Sequence, residues 1–315
     1  MEGLYKKWET LIPQFIQSYK GVIVACSGGV DSTVLFHLLW KFTNQKINFP
    51  LAIFHMNFGL RGKESNLDQE FLVDLAERTK TPLFMHKIED EEAKPLNQAQ
   101  ARSLRYSLLK DYAKKGWVIA FAHHEDDLAE NIILRLARGT SPASAMGMKE
   151  WNPPYWRPLL DFGKAEIQAW AIRQNLPHRH DASNDTIKYS RNRIRHLVIP
   201  ELESLYPGAS KRMVRCYKDL DDIVAFAFSK VTPVAQTLKT QGLPMSNLQG
   251  FPDVIIKHIL SCAIGRRKEK PINHNLLENI LNLIKKPGPQ KEWSVQIADD
   301  LFFVHKKGEI FFKSR

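Results

Sequence analysis

The segment Val22-Ile23-Val24-Ala25-Cys26-Ser27-Gly28-Gly29-Val30-Asp31-Ser32 constrains this chain more than any other. Four apolar, mostly β-branched residues predict a buried strand, and Thr33-Val34-Leu35-Phe36-His37-Leu38-Leu39 predicts the helix behind it. Between them Gly28 and Gly29 permit positive φ and let backbone N–H groups approach an anion closely, while the helix N-terminus adds partial positive charge. The turn is therefore expected to cradle phosphate with Ser27, Gly28, Gly29, Val30, Asp31 and Ser32. No Gly-Lys-Ser/Thr follows at the spacing of a Walker A loop. Asp31 places a carboxylate beside phosphate, which is repulsive unless a cation lies between them, so Mg²⁺ is expected at Asp31.

Further apolar runs at 51–54, 83–86 and 118–122 predict three more strands, with helical patterns between them. Strands alternating with helices imply an α/β fold built on a doubly wound parallel sheet. In such sheets functional groups gather at the carboxyl ends of strands. The polar clusters after 25, 54 and 122 all fall there: the glycine turn, His55-Met56-Asn57, and His123-His124-Glu125-Asp126-Asp127. Before the first strand, Leu4, Trp8, Leu11, Phe15 and Ile16 predict one amphipathic helix over 4–19; Gly139-Thr140-Ser141-Pro142 begins a loop, and 151–158 is Pro- and aromatic-rich.

At 315 residues two domains are expected. Tyr206-Pro207-Gly208 marks the boundary, giving a catalytic domain at 1–206 and a smaller α+β domain at 207–315, with helices first and short strands near 295–297, 301–305 and 309–312. The net charge of +11 suggests a polyanionic partner. Three widely spaced cysteines form neither a disulfide framework nor a Cys-x-x-Cys metal motif. No apolar run reaches the ~20 residues of a membrane span. With no signal-peptide core at the N-terminus, a cytoplasmic location is expected.

His123, His124, Asp126 and Asp127 are all competent ligands for a divalent metal, which keeps a metal-dependent phosphohydrolase open. Asp127 and Glu130 lie three apart and share a helix face; a solvated helix start explains them equally well. Arg102 and Arg105 share another face with Tyr106 beside them, for which a solvated basic face is the usual reading. Arg191, Arg193, Arg195 and His196, flanked by Asn184, Tyr189 and Asn192, are denser and suit RNA.

Taken in order, these motifs, together with Leu60-Arg61-Gly62-Lys63-Glu64-Ser65, Arg138-Gly139-Thr140, Arg157-Pro158-Leu159-Leu160 and Asp181…Ser183-Asn184, resemble the bacterial tRNA(Ile)-lysidine synthetase family over roughly 20–200. The resemblance implies a Rossmann-like pyrophosphate-loop domain that uses ATP and Mg²⁺. It implies ligation of free L-lysine to C2 of the wobble cytidine of CAU-anticodon tRNA(Ile), through an adenylated tRNA, with release of AMP and pyrophosphate. By position it implies residues 27–32 at ATP, and Arg105, Asp127, Glu130, Arg191 and Arg195 at the lysine and cytidine site. The C-terminal domain is then expected to bind tRNA, and a homodimer is compatible. Phe58 departs from the family's usual histidine, and Leu128 and Asn131 from common glutamine and threonine. A tRNA thiolase on the same loop is the nearest alternative, although such enzymes commonly use reactive or cluster-binding cysteines.

Overall fold

The computed structural model describes residues 3–47, 49–59, 62–88, 98–139, 147–179, 189–265, 274–286, 291–298 and 300–314. The chain divides into two compact units, the first being Met1–Gly139 with Gly147–Arg215 and the main part of the second Cys216–Arg315.

In the first unit β1 (Gly21–Ala25), β2 (Leu51–Asn57), β3 (Leu83–Lys87) and β4 (Trp117–Ala120) pair in parallel, in the order β3-β2-β1-β4. The connections are helical: α2 (Val30–Gln45), α3 (Lys63–Thr79) and α4 (Gln98–Lys114). Both faces of this sheet are covered, which is why its strands are apolar throughout instead of alternating with polar residues. Val22, Val24, Ile53, Val118 and Ala120 pack on one face with Trp8 of α1 (Gly3–Glu9), Leu35 and Leu38 of α2, Leu72 of α3, and Trp170 of a later helix. Ile23, Ala52, Phe54, Ile119 and Phe121 point the other way, against Leu109 and Tyr112 of α4.

Two sequence expectations change here. The single helix over 4–19 is instead α1 followed by a 3₁₀ turn at Gln14–Ser18. Pro13 explains the break: it is extended (φ −69°, ψ 133°), has no N–H to donate, and disfavours helix in the residue before it. The Pro- and aromatic-rich stretch 151–158, for which the sequence suggests no strand, contains a hairpin, β5 (Trp151–Asn152) and β6 (Tyr155–Trp156). β6 adds to the sheet parallel to β4 and β5 closes its edge antiparallel, because Trp156 fits the buried face completely. The unit continues through α5 (Glu125–Ala137), α6 (Lys164–Arg173), α7 (Ser190–Arg193), a π turn at Ile194–Val198 and α8 (Ile199–Leu205).

The second unit begins within the long helix α9 (Ala209–Thr240). It holds α10 (Ser246–Gln249), α11 (Asp253–Ile264), α12 (His274–Lys285) and an antiparallel sheet ordered β7-β10-β9-β8. These strands are β7 (Leu243–Pro244), β8 (Trp293–Ala298), β9 (Leu301–Lys306) and β10 (Glu309–Ser314). Its own core joins Leu238, Ile259, Ile280, Phe303 and Ile310, so each unit buries a separate apolar centre. Among the described residues no helix is long and apolar enough to cross a membrane.

The central strand begins at Gly21, where an added Cβ would lie 2.5 Å from both the Pro50 carbonyl oxygen and the Trp117 ring. Neither neighbour is a flexible side-chain tip. Gly21→Ala is therefore expected to cost about 1–3 kcal/mol by overpacking, read as a lower urea midpoint for the first unit. An unchanged midpoint would mean that the strand end yields more easily than its packing implies.

Candidate active site

β1 and β4 are neighbours, yet the chain leaves them toward opposite sides of the sheet. Their carboxyl ends thus diverge and open a crevice, the place where open α/β sheets hold ligands. The glycine turn edges one side and the His123-His124 segment the other.

In the turn, Gly28 has φ +89°, while a Cβ there would meet only ordinary contacts; backbone conformation, not space, requires glycine. The expectation for Gly29 is corrected: its φ is −69°, and it caps the start of α2. Ser32 Oγ donates to the Gly29 carbonyl at 3.0 Å and accepts the Ser27 N–H at 3.2 Å, and Thr33 Oγ1 donates to the Gly28 carbonyl at 3.3 Å. These hydroxyls hold the turn in shape. Val30 and Asp31 begin the first turn of α2.

Two basic residues that sequence reasoning missed close on this turn. Lys164 Nζ donates to both Asp31 oxygens, at 2.7 and 2.6 Å, from the first position of α6. Arg179 donates its backbone N–H to the Gly28 carbonyl at 2.9 Å, while its guanidinium holds Glu64 at 2.6 Å and Asp68 at 3.2 Å. Each basic residue lies more than a hundred positions from its acidic partner, so no local pattern announces the pairing.

Opposite the turn, α5 starts with Glu125, Asp126 and Asp127, and Asp127 Oδ2 accepts the His124 N–H at 3.1 Å. This satisfies an orphan donor and places negative charge on the positive end of the helix. Asp127 and Glu130 are not solvated: their exposures are 8% and 1%. Arg191 Nε donates to Glu130 Oε2 at 2.6 Å and its Nη2 to Asp127 Oδ1 at 2.7 Å. Arg195 repeats the pattern, with Nε on Glu130 Oε1 at 2.5 Å and Nη2 on Asp127 Oδ1 at 3.2 Å. The result is a closed quartet of two anions and two cations. Arg195 lies in the π turn, a helix irregularity common at functional sites.

Burial alone would raise the Asp127 carboxyl; His124, Arg191 and the hydrogen bond from the His124 N–H reverse this and hold it below its usual value. Burial would likewise lower Arg195, but Glu130, Asp127 and Asp31 hold its guanidinium above its usual range. Asp126 is disfavoured as an anion by burial, yet His124 and the Lys164 N–H (2.8 Å) bring it down to about 2. The two histidines diverge. His124 lies 3.4 Å from Asp126, 3.5 Å from Asp127 and 3.9 Å from Asp31, and these carboxylates outweigh its burial and raise its pKa. His123 is lowered to about 3, first by burial, with Arg157, Arg191 and Arg102 adding to it against Asp127.

Arg105 stands outside the quartet, on α4, with its guanidinium 6.0 Å from the Tyr106 ring centre. In the second motif, His55 Nδ1 bonds the Cys26 carbonyl at 3.0 Å, and Asn57 donates to Asn66 and Gln69. Phe58, at the position of the usual histidine, packs against the apolar cluster of the α4 face. Leu60, Arg61, Thr140, Asp181, Ser183 and Asn184 lie outside the described residues. Among the described residues, no group of three or more His, Cys, Asp or Glu is arranged to hold a metal ion. Asp31 is a partly open carboxylate of the kind Mg²⁺ takes beside substrate phosphates, and Lys164, which now holds both its oxygens, must release it for the ion to bind.

The switch-point crevice and its glycine turn define a PP-loop ATP-binding domain, and the model of that family matches residues 4–202. The tRNA(Ile)-lysidine synthase of Thermosipho africanus is 36% identical over 307 residues, covering 92% of this chain and 71% of that protein. Those of Porphyromonas gingivalis and Geobacter sulfurreducens are 34% and 35% identical over 229 and 215 residues, or 69% and 64% of this chain. The chain spans only 48% and 44% of those two proteins. The solved U34-tRNA thiolase NcsA of Methanococcus maripaludis, with its 4Fe–4S cluster, matches at TM-score 0.57 and 20% identity, covering 70% of this chain and 78% of that one. At that identity the likeness concerns fold alone. The chain belongs to the tRNA(Ile)-lysidine synthase family.

The histidines make stability depend on pH with opposite signs. His123 titrates near 3 when folded against 6.5 when unfolded, so the unfolded chain takes the proton first. Its contribution is full above 6.5 and is lost as pH falls toward 3. His124 is raised, so its contribution is full below 6.5 and is lost as pH rises through its folded value. Between pH 6 and 5, His123 is expected to remove up to about 1.4 kcal/mol per pH unit. His123→Gln should flatten this limb in urea titrations of the first unit. An equally steep acid limb in the variant would assign the loss to other groups.

Proposed function

We propose that this chain ligates lysine to C2 of the wobble cytidine of CAU-anticodon tRNA(Ile), using ATP and passing through an adenylated tRNA. One observation carries the reading: an intact phosphate turn stands beside two buried carboxylates bound by two half-buried guanidiniums. A phosphate cradle alone suits many ATP users. The acidic and basic groups beside it suit a zwitterionic amine nucleophile and an anionic RNA.

In this reading the turn 27–32 holds the ATP phosphates through its backbone N–H groups and the start of α2, and Lys164 reaches them when Mg²⁺ replaces it on Asp31. Mg²⁺, held at Asp31, would neutralise phosphate charge during attack by the cytidine oxygen. Arg191 and Arg195 orient the nucleotide and support charge that develops on the activated base. Asp127 and Glu130 attract the lysine ammonium, whose unperturbed pKa of about 10.4 keeps it protonated near pH 7. A carboxylate held low binds an ammonium well but accepts its proton poorly. The proton leaves to one of these two carboxylates as the amine attacks and loses its charge. The second unit is assigned to tRNA contact, in keeping with the basic chain.

Incubation with ATP, labelled lysine and CAU-anticodon tRNA(Ile), followed by nucleoside mass analysis, is expected to yield cytidine carrying lysine. Sulfur incorporation, or ATP hydrolysis independent of lysine and tRNA, would favour the thiolase or phosphohydrolase instead. Asp31→Asn should abolish AMP and pyrophosphate release while leaving the fold intact. Glu130→Gln should depress lysine transfer more than adenylation in a quenched-flow assay with α-labelled ATP. Equal loss of both half-reactions would place the quartet at ATP instead of at lysine.

A further inference from the structure

The quartet is electrically closed, but a second basic cluster beside it is not. Arg102 and Arg105 on α4 and Arg157 just past β6 converge on an aromatic shelf of Tyr106, Phe121 and Tyr155. Arg102 Nη2 donates to Tyr106 Oη at 3.2 Å and its guanidinium lies 4.9 Å from that ring centre. Arg157 sits 5.9 Å from the Phe121 ring centre and donates to the Lys149 carbonyl at 2.9 Å. Tyr106 and Phe121 are 5.4 Å apart, and Tyr155 lies 5.6 and 5.9 Å from them.

Among the described residues no carboxylate pairs with any of these three arginines. Arg157 is only 8% exposed, and the Nε atoms of Arg157 and Arg105 are buried without a hydrogen-bond partner. Uncompensated cations this close are costly in a folded protein. Burial, and repulsion from Arg102, hold Arg105 and Arg157 below the usual guanidinium range. Such a cluster is stabilised by an anion, and its forked donors match phosphate oxygens. The aromatic shelf beside it offers a face on which a base can stack.

We propose that Arg102 and Arg157, with the Tyr106–Tyr155 shelf, seat a backbone phosphodiester of the RNA next to the reacting nucleotide. The inference deepens the RNA-modifying reading above and rests on it. His123 carries the geometry across, since it lies 5.7 Å from Phe121 on one side and precedes the His124–Asp127 turn on the other. The seat therefore adjoins the quartet instead of forming a remote surface.

The test measures binding of a CAU anticodon stem-loop RNA, ATP, lysine and inorganic pyrophosphate, each separately, to the full chain and to Arg102→Gln and Arg157→Gln. For a phosphate contact, each variant is expected to bind the RNA roughly tenfold more weakly, with a salt slope lower by about 1. ATP, lysine and pyrophosphate affinities should stay unchanged. Because Arg102 is exposed and has no acidic partner among the described residues, the thermal midpoint of Arg102→Gln should not fall; a structural role would lower it. A methylphosphonate at a phosphate flanking the reacting cytidine should weaken binding to the parent protein but not to Arg102→Gln.

Unchanged RNA affinity and salt slope in Arg102→Gln would overturn the inference while leaving lysine ligation standing. A matching loss of ATP or pyrophosphate affinity would give the cluster to the nucleotide, and a loss of lysine affinity would give it to the amino acid's carboxylate; either overturns it. Failure of the unaltered protein to bind the RNA at all would overturn both readings. Should Arg157→Gln not fold, Arg102→Gln decides alone, because that side chain is exposed.

Discussion

Two buried carboxylates, each held by the same two half-buried guanidiniums, keep this site in shape. Asp127 and Glu130 project from one face of α5, and Arg191 and Arg195 meet them from a helical run more than sixty residues later. Burying Asp127 or Glu130 without a cation would be costly, whereas the guanidiniums stay partly in water. Complete pairing makes the burial of the carboxylates tolerable and, at the same time, fixes where the 190–198 segment lies against α5. The crevice thus gains a rigid wall from a segment that contributes no strand.

Charge is distributed unevenly around that wall. At the phosphate turn, Lys164 neutralises Asp31, and Arg179 is tied to Glu64 and Asp68. At the quartet the charges balance. Around Tyr106 three arginines have no acidic partner among the described residues. Polar networks that satisfy themselves stabilise a fold, whereas unsatisfied ones are strain that a ligand can relieve. The separation orders the crevice: anchored anions for cations near α5, and unanchored cations for anions beyond His123.

The two adjacent histidines show how strongly small displacements decide chemistry. His124 faces three carboxylates and is raised; His123 faces three arginines and is lowered to about 3. Consecutive residues leaving a strand project to different sides, so the same imidazole is made more basic on one side of the backbone and less basic on the other. Nothing in the dipeptide itself distinguishes them.

What the sequence by itself determined was the layered frame and the phosphate turn. Both follow from local rules, since fully apolar strands require cover on two faces and Gly28 requires a conformation open to few other residues. The motifs also marked Asp127, Glu130, Arg191 and Arg195 as site residues, although not that they would bind one another. Tertiary structure alone decided the partners: Lys164 on Asp31, Arg179 over Gly28, the hairpin 151–156 as part of the sheet, and Arg157 beside Arg102. The physical reason is that an ion pair or a shared cluster depends on distance in space. Crossover connections join residues a hundred positions apart, and no sequence period records which ends they bring together.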